Sequence, residues 1–378
     1  METRYTWGFA LRVLVKAALL FALVNAAFAL LDPIPIIGRA SVYNVLAPGR
    51  ERLPYGTNAA ACLLTLDSLE AMFASHAVSA PKRADEFRLI LIGDSSTWGI
   101  QLLPDDTVTA FINAAQIDAA GRTVRAYNLG YPTMSALKDL LILDMALAYQ
   151  PDAIVWLVTL ESLARTEQLA APILARNPAA ARALIDRYAL DYDSASLPSP
   201  PIWERTLIGR RRALADWWRL QACAFNWSAT GIDHQVGEYT ARSNDLTADL
   251  TWKGYTAETL TADALAFDVL AAGIDAASAV PLLLVNEPIF IVDGSNSDIR
   301  YNAWYPIWAY DAYRQWLQAE SDRRGWRLLD VWDALDGARF TDSPVHRDPQ
   351  GEREVAAWLA ETLPQALPAF GIIPEGTQ

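Results

Sequence analysis

Histidine and cysteine are scarce in this chain of 378 residues, which contains three histidines and two cysteines. A metal site rich in these side chains is therefore excluded, and no metal or other cofactor is expected. Lysine and arginine (31) are outnumbered by aspartate and glutamate (44), so the net charge is −13. Because nucleic acids are polyanions, no nucleic-acid partner is expected. Composition leaves the oligomeric state open.

The two cysteines, Cys62 and Cys223, are far apart in the sequence. One disulfide outside the cytoplasm and two buried free thiols are both compatible with this spacing. Sequence alone does not place the two sulfur atoms within bonding distance.

Residues 17–31 contain no charged residue. They form the end of a longer apolar stretch, residues 7–31, in which the polar residues are Arg12, Lys16 and Asn25. The cations lie on the N-terminal side of this stretch, and this favours a cytoplasmic N-terminus with the rest of the chain outside the membrane. Snorkelling of the two cations extends the short uncharged run toward the thickness of a bilayer.

Two interpretations of this N-terminus remain open. In the first, residues 1–32 are a cytoplasmic tip and an uncleaved transmembrane anchor, which is favoured because the apolar run continues to a proline-rich exit. In the second, they are a signal peptide cleaved near the small-x-small residues 27–29. In both, residues 33–84 are predicted to form an irregular, partly helical neck and residues 85–370 an extracytoplasmic domain.

Strand-like and helix-like patterns alternate from residue 85 onward. The predicted strands are 89–92, 124–128, 154–159, 282–286 and 327–330, and the predicted helices are 107–119, 135–149, 260–277, 310–324 and 350–363. Strands separated by helices indicate a parallel sheet covered on both faces. The expected fold is therefore a three-layer α/β/α domain of flavodoxin-like topology.

The interval between the third and fourth strands is too long for one crossover, and residues 165–249 are predicted to be an inserted helical lid subdomain. Residues 203–225 within it combine five arginines with three tryptophans. This mixture is typical either of a lid helix that packs its tryptophans on the domain or of a helix on the membrane surface.

A serine lies where the first strand ends. The uncharged apolar run after Arg88 stops at the sequence Gly93-Asp94-Ser95-Ser96, where residues typical of a helix start take over. Open α/β sheets place their chemistry at the carboxyl ends of the strands. A helix N-terminus there also presents backbone N–H groups to developing negative charge.

A serine nucleophile needs a base, usually a histidine oriented by a carboxylate. His346 lies in the loop between the last predicted strand and the last predicted helix, at the same edge of the sheet, and Asp342 precedes it by four residues. A solvated or structural histidine is the alternative. The coincidence with a serine at a strand end favours a catalytic pair.

These segments resemble the SGNH (GDSL-type) hydrolase superfamily, including its exported members that act on acyl groups of envelope glycans. Residues 93–99 resemble the first block, with Ser95 as nucleophile, and residues 128–132 the second. The resemblance implies that His346 relays the proton to the leaving oxygen. It also implies that the backbone N–H groups of Ser95 and Gly130 hold the oxyanion.

Two departures from the family pattern matter. The family usually places its aspartate three residues before the histidine, where this chain has Ser343, and Asp342 is one residue further away. The third block normally offers an asparagine to the oxyanion, and Glu161 stands at about that position. An ionised carboxylate repels an oxyanion, and the loss of one donor costs about 10²- to 10³-fold in rate.

Polar and aromatic residues near the predicted sheet edge are candidate substrate contacts. They are Asn128, Glu161, Asn286, Glu287, Trp304 and Tyr305. The last two belong to an aromatic run, residues 301–316, of a kind that stacks on sugars or lines an acyl slot.

The sequence thus predicts a serine esterase or O-acyltransferase that acts on acylated cell-envelope glycans or lipids. The alternative is a non-catalytic envelope protein that keeps the fold and binds glycan. Glu161 favours the alternative, whereas Ser95 and His346 favour the enzyme.

Overall fold

A six-stranded, mostly parallel sheet organises the computed structural model, which describes residues 6–234 and 236–367. The strands are β1 (Glu86–Ile92), β2 (Asp118–Ala119), β3 (Arg122–Asn128), β4 (Ala153–Val158), β5 (Leu282–Asn286) and β6 (Arg327–Asp330). Their order is β2-β3-β1-β4-β5-β6, with the short β2 antiparallel to β3 and all other pairs parallel. Without β2 this is the flavodoxin-like order, so the predicted fold class is confirmed.

Helices cover both faces of the sheet and extend beyond it. They are α1 (Trp7–Leu31), α2 (Ile34–Gly38), α3 (Leu69–Ser75), α4 (Ser95–Trp98), α5 (Val108–Ala114), α6 (Ala136–Leu147), α7 (Pro172–Arg176), α8 (Pro178–Arg187), α9 (Arg211–Thr230), α10 (Phe267–Ala276), α11 (Ile307–Arg324) and α12 (Pro349–Ala366). The core on one face joins α6, α10 and α11 to the sheet, and the core on the other joins α5 and α12.

Strand β4 shows how the sequence produces three layers. Every residue of this strand is buried, because both of its faces are covered. Ile154, Trp156 and Val158 pack into one core, and Val155 and Leu157 pack into the other. Successive side chains of a strand point to opposite faces, so a continuous apolar run supplies both cores at once.

Two predicted helices are shorter in the structure. The helix predicted over 107–119 ends at Ala114, because Gln116 adopts a positive φ of 49° and the chain turns into β2. The helix predicted over 260–277 begins only at Phe267, because Leu265 pairs with Ala164 in an isolated bridge. Tertiary pairing overrides local helix preference in both places.

Residues 34–78 pack closely on the insertion. The Trp217 indole of α9 donates to the Ala40 carbonyl at 3.1 Å, and the Tyr43 hydroxyl donates to the Leu220 carbonyl at 3.0 Å. A Cys62–Cys223 disulfide, with Cα atoms 5.6 Å apart, joins the same two segments. Of the two alternatives left open by the sequence, the structure contains the disulfide.

Helix α1 is the helix in the described part of the chain that is long and apolar enough to cross a membrane. Most of its side chains are exposed, and Asn25 and Ala29 are the buried ones. Length and composition alone do not distinguish a retained anchor from a signal sequence, since both have this character.

His76 is a buried histidine held in its neutral form. Its Nδ1 accepts from the Val78 N–H at 3.0 Å, so its Nε2 carries the proton and donates to the Glu51 carbonyl at 3.0 Å. Burial lowers the pKa of His76 to about 4. The unfolded chain takes up this proton near pH 6.5, so the contribution of His76 is complete above that pH and falls as the pH drops toward 4.

We therefore expect the cost of His76→Asn, measured as the loss in free energy of unfolding, to shrink by about 2 kcal/mol between pH 7.5 and pH 5. The comparison with wild type at each pH cancels the titration of all other groups. Urea unfolding followed by tryptophan fluorescence measures both proteins. A cost independent of pH would contradict a neutral His76.

Candidate active site

The turn after β1 places Ser95 at the first position of α4, beyond the carboxyl end of the central strand. Asp94 caps this short helix, and its Oδ1 accepts from the Ser96 N–H at 2.8 Å. Glycine is required at Gly93, because a Cβ there would collide with the side chain of Thr97. The chain can therefore reverse tightly and leave the Ser95 side chain half-buried at the sheet edge.

Ser95, His346 and Asp342 form a hydrogen-bonded chain. The Ser95 Oγ lies 2.9 Å from the His346 Nε2, and the His346 Nδ1 lies 2.8 Å from the Asp342 Oδ1. The extra residue between the aspartate and the histidine does not prevent this contact. A carboxylate at Nδ1 fixes the tautomer that leaves Nε2 free to accept a proton from the serine.

The histidine loop, the segment between Phe340 and Arg347 that carries His346, is closed at its base. Phe340 and Arg347 form an antiparallel bridge, and the Thr341 N–H donates to the His346 carbonyl at 2.9 Å. Arg242, from the insertion, donates to the Phe340 carbonyl and stacks on the Phe290 ring at 3.8 Å. The bridge and the Arg242 contact therefore restrict the conformations that the loop can adopt.

The predicted oxyanion donor Gly130 lies against α4. A Cβ on Gly130 would be 2.5 Å from the Trp98 nitrogen, so only glycine allows this approach. Its N–H donates to the Asn128 Oδ1 at 3.0 Å, while the Asn128 Nδ2 donates to the Thr97 carbonyl at 2.6 Å. In this structure the Gly130 N–H thus has an internal partner, which an oxyanion would have to share or displace.

Lys138 connects the turn that carries Ser95 to the loop that carries Gly130. It is completely buried, and its ammonium donates to the Gly93 and Tyr131 carbonyls at 2.8 Å each and pairs with Asp139 at 2.6 Å. Two of its three ammonium hydrogens are therefore donated to backbone carbonyls. Burial raises the pKa of Asp139 to about 6 against the opposing effect of Lys138.

A buried ionic network lies behind the nucleophile turn. The Glu287 Oε2 accepts from the Ser96 Oγ at 2.5 Å and from Arg347 at 3.0 Å, and Arg347 also pairs with Glu352 at 2.7 Å. Burial raises the pKa of Glu287 to about 8. The carboxyl groups of Glu287 and Glu352 thus share the single guanidinium of Arg347. Glu287 thereby links the nucleophile turn directly to the histidine loop.

Several of the predicted substrate contacts have internal partners instead of an accessible surface. Asn286 has no exposed surface, and its side chain bonds to Asp330 and to the hydroxyls of Tyr310 and Tyr313. Asn128, Glu287 and Tyr305 are likewise buried. Asn128 bonds to Thr97 and Gly130, and Glu287 bonds to Ser96 and Arg347, so these two side chains contact the segments that carry the site.

Glu161 and Trp304 remain partly exposed. The Glu161 carboxylate pairs with Lys253, four residues after the insertion, and Lys253 also contacts Glu167 at 2.8 Å. The Glu161 N–H donates to the Tyr305 hydroxyl at 3.2 Å. The negative charge of Glu161, which the sequence placed near the oxyanion, is therefore compensated by Lys253.

Lys138, Arg242, Lys253 and Arg347 were not identified as site residues from the sequence. Arg347 directly follows His346 in the sequence, and its burial requires oppositely charged partners. Lys138 lies in a Ser-x-x-Lys spacing, but its contacts depend on a turn 45 residues away in sequence. Arg242 comes from the insertion and Lys253 from the segment that follows it, and no local pattern specifies the path of either segment.

No family model and no curated protein matches this chain. Solved structures similar to it include a lipolytic protein of the G-D-S-L family from Desulfitobacterium hafniense, 11% identical over 73% of this chain and 99% of that chain, with a TM-score of 0.36. An aryl esterase from M. smegmatis is 12% identical, covering 74% and 99% of the two chains, with a TM-score of 0.34. The carbohydrate acetylesterase Est24 from Sinorhizobium meliloti is 10% identical, covering 74% and 98%, also at 0.34.

The family resemblance rests on features of this chain itself. They are the Gly93-Asp94-Ser95 turn after the first strand, the flavodoxin-like strand order, and the hydrogen-bonded Ser95, His346 and Asp342. In these respects the chain resembles the SGNH (GDSL-type) hydrolase superfamily.

Proposed function

We propose that this protein is a serine esterase or O-acyltransferase that acts on acylated glycans or lipids of the cell envelope. The observation that supports it most is the pair of contacts that connect the Ser95 Oγ to His346 and His346 to Asp342, at 2.9 and 2.8 Å. A base within hydrogen-bond reach of a serine, and itself oriented by a carboxylate, is the arrangement that nucleophilic acyl transfer requires.

The reaction proceeds in two halves. The Ser95 Oγ attacks the ester carbonyl carbon while its proton moves to the His346 Nε2, and the carbonyl π electrons move to oxygen. Collapse of this tetrahedral species breaks the ester C–O bond, and His346 gives the proton to the leaving alkoxide. An acyl-Ser95 ester remains. A second hydroxyl then attacks it by the same steps and restores Ser95.

The second hydroxyl decides between the two activities. Water yields hydrolysis, and a sugar hydroxyl yields O-acyl transfer, with the same catalytic residues. The Ser95 N–H at the start of α4 is the first oxyanion donor, and the Gly130 N–H becomes a second if it leaves Asn128. With Lys253 beside Glu161, the repulsion that favoured a purely glycan-binding role is reduced.

An extracytoplasmic location accompanies this function. The Cys62–Cys223 disulfide is of a kind that persists outside the reducing cytoplasm. With α1 as an uncleaved anchor and its N-terminus in the cytoplasm, the domain lies next to the envelope polymers and lipids that carry acyl groups.

Fluorophosphonate labelling tests the nucleophile. We expect wild type to be labelled and Ser95→Ala to lose the label, because the probe phosphonylates an activated serine. Ser96→Ala is the matched control and keeps the label, since Ser96 is buried and bonded to Glu287. Circular dichroism verifies that each variant is folded.

Failure of the wild-type protein to label, together with no turnover of acetyl esters, would overturn the enzymatic function and leave the glycan-binding alternative. Equal labelling of wild type and Ser95→Ala would show that another residue is the nucleophile.

A further inference from the structure

A basic surface rich in exposed apolar residues lies beside the C-terminal end of α1. We call residues 202–219 the arginine–tryptophan segment. Its start, Ile202–Arg205, contacts α1. The Ile208 N–H donates to the Asn25 Oδ1 at 3.2 Å, which explains why this polar side chain is buried on a mostly apolar helix. The segment is therefore fixed to α1 near its end.

Large apolar side chains of this segment face outward. Trp203 and Trp218 are 64% and 67% exposed, and Ile202 is 61% exposed. Just beyond the end of α1, Ile36 is 73% exposed. Tryptophan is enriched where the headgroups of a bilayer meet its acyl chains, because its ring is amphipathic.

The segment carries a local positive charge in a strongly acidic chain. It contains two carboxylates, Glu204 and Asp216, and five arginines, namely Arg205, Arg210, Arg211, Arg212 and Arg219. Arg205 and Arg212 form no ion pair with any described residue. Arg205 and Arg210 also line a cavity of about 470 Å³ next to Asp32 at the end of α1, where the buried Arg210 Nε has no hydrogen-bond partner.

The distance of the arginine–tryptophan segment from the end of α1 matches the depth of a membrane interface. Asn25 precedes Leu31, the last residue of α1, by six residues. This corresponds to about 9 Å along a helix axis. Amphipathic segments lie about 5–10 Å into the boundary between headgroups and acyl chains. If α1 crosses the bilayer and ends at its outer surface, Ile208 and its neighbours lie within that boundary.

We propose that the arginine–tryptophan segment lies in the outer headgroup layer of the membrane that α1 crosses, with its arginines on anionic phospholipid headgroups. This inference rests on the proposed membrane insertion of α1 and is independent of esterase activity. Unpaired guanidinium groups suit phosphate, and exposed tryptophan rings suit the acyl boundary. The domain is then held at a defined height and orientation instead of swinging on a tether.

Site-specific fluorescence in vesicles tests this placement. Full-length protein is reconstituted in equal parts phosphatidylcholine and phosphatidylglycerol, and a single introduced cysteine carries an environment-sensitive NBD label. Trp203→Cys and Trp218→Cys report on the segment, Leu20→Cys on α1, and Arg323→Cys on an exposed site of α11. Cys62 and Cys223 do not react because they are disulfide-bonded.

We expect spin-labelled lipids to quench the labels at 203, 218 and 20, and to leave the label at 323 unquenched. Replacing Arg205, Arg210 and Arg212 together by glutamine is expected to lower the quenching at 203 in these vesicles and to leave it unchanged in pure phosphatidylcholine. The lipid-dependent difference separates an electrostatic contact from simple proximity.

Quenching at 20 without quenching at 203 would overturn the proposal while α1 remains inserted. Loss of quenching at both positions would overturn both the segment's placement and the anchor. Protection of the label at 203 from aqueous iodide without lipid quenching would mean that a second copy of the chain covers the segment, which also contradicts the proposal. Ester hydrolysis measured on the same samples keeps these outcomes separate from the proposed activity.

Discussion

Replacing His346 by glutamine is expected to lower kcat for p-nitrophenyl acetate hydrolysis by about 10³-fold or more. Glutamine keeps a polar side chain of similar reach but does not accept a proton from the Ser95 Oγ, now 2.9 Å from the imidazole. KM is expected to change little, because the imidazole takes part in proton transfer and does not bind the ester. Steady-state kinetics on detergent-solubilised protein measures both constants.

His234→Gln provides the matched control. His234 is a second histidine that follows an aspartate, but its Nε2 accepts from the Trp227 indole at 2.9 Å, at the end of α9. We expect wild-type kcat from this variant. Equal losses in the two variants would point to a general effect of histidine loss on folding, and an unchanged kcat in His346→Gln would remove His346 from the mechanism.

Lys138→Met is expected to lower the free energy of unfolding by about 3–5 kcal/mol, the usual cost of removing one partner of a buried ion pair. The substitution leaves the Asp139 carboxyl without its cation and the Gly93 and Tyr131 carbonyls without their donor. Since those carbonyls flank the nucleophile and the Gly130 loop, kcat of the folded fraction should fall as well. Urea unfolding gives the stability, and kinetics at low temperature gives the activity.

A double-mutant cycle sharpens this prediction. Lys138→Met combined with Asp139→Asn should cost less than Lys138→Met alone, because the uncompensated carboxyl is gone while an amide oxygen can still accept from the Trp156 indole. Lys253→Met is the matched control on a partly exposed pair and should cost less than about 1 kcal/mol. Additive effects in the cycle, or equal costs at positions 138 and 253, would contradict a buried, structurally decisive Lys138.

The strand pattern was predictable from the sequence because β1, β4 and β5 each contain a short apolar run bounded by turn residues. Strands β5 and β6 begin and end where they were predicted, and β1, β3 and β4 differ by a few residues at their ends. The helices were less predictable where a distant pairing decides their bounds, as at Ala114 and Phe267. A local pattern does not record that Leu265 pairs with Ala164.

The candidate site was also predictable from the sequence only in part. Ser95 and His346 are visible from the sequence because their residue types and positions at strand ends are unusual. Glu287 was noticed as polar, but its role behind the turn requires knowing that Ser96 and Arg347 converge on it. Lys253 could not be predicted as a site residue from a local pattern, since its partner Glu161 lies 92 residues earlier in the chain.

The Cys62–Cys223 bond also determines what a protease could release from this protein. Ser95 lies between the two cysteines in sequence, whereas His346 lies after both. A single cut at the exposed proline-rich residues 198–201 would leave a nicked chain whose two pieces stay covalently joined until a reductant is added. With α1 as the proposed anchor, release of the intact domain by one cut is therefore confined to the stretch between α1 and Cys62.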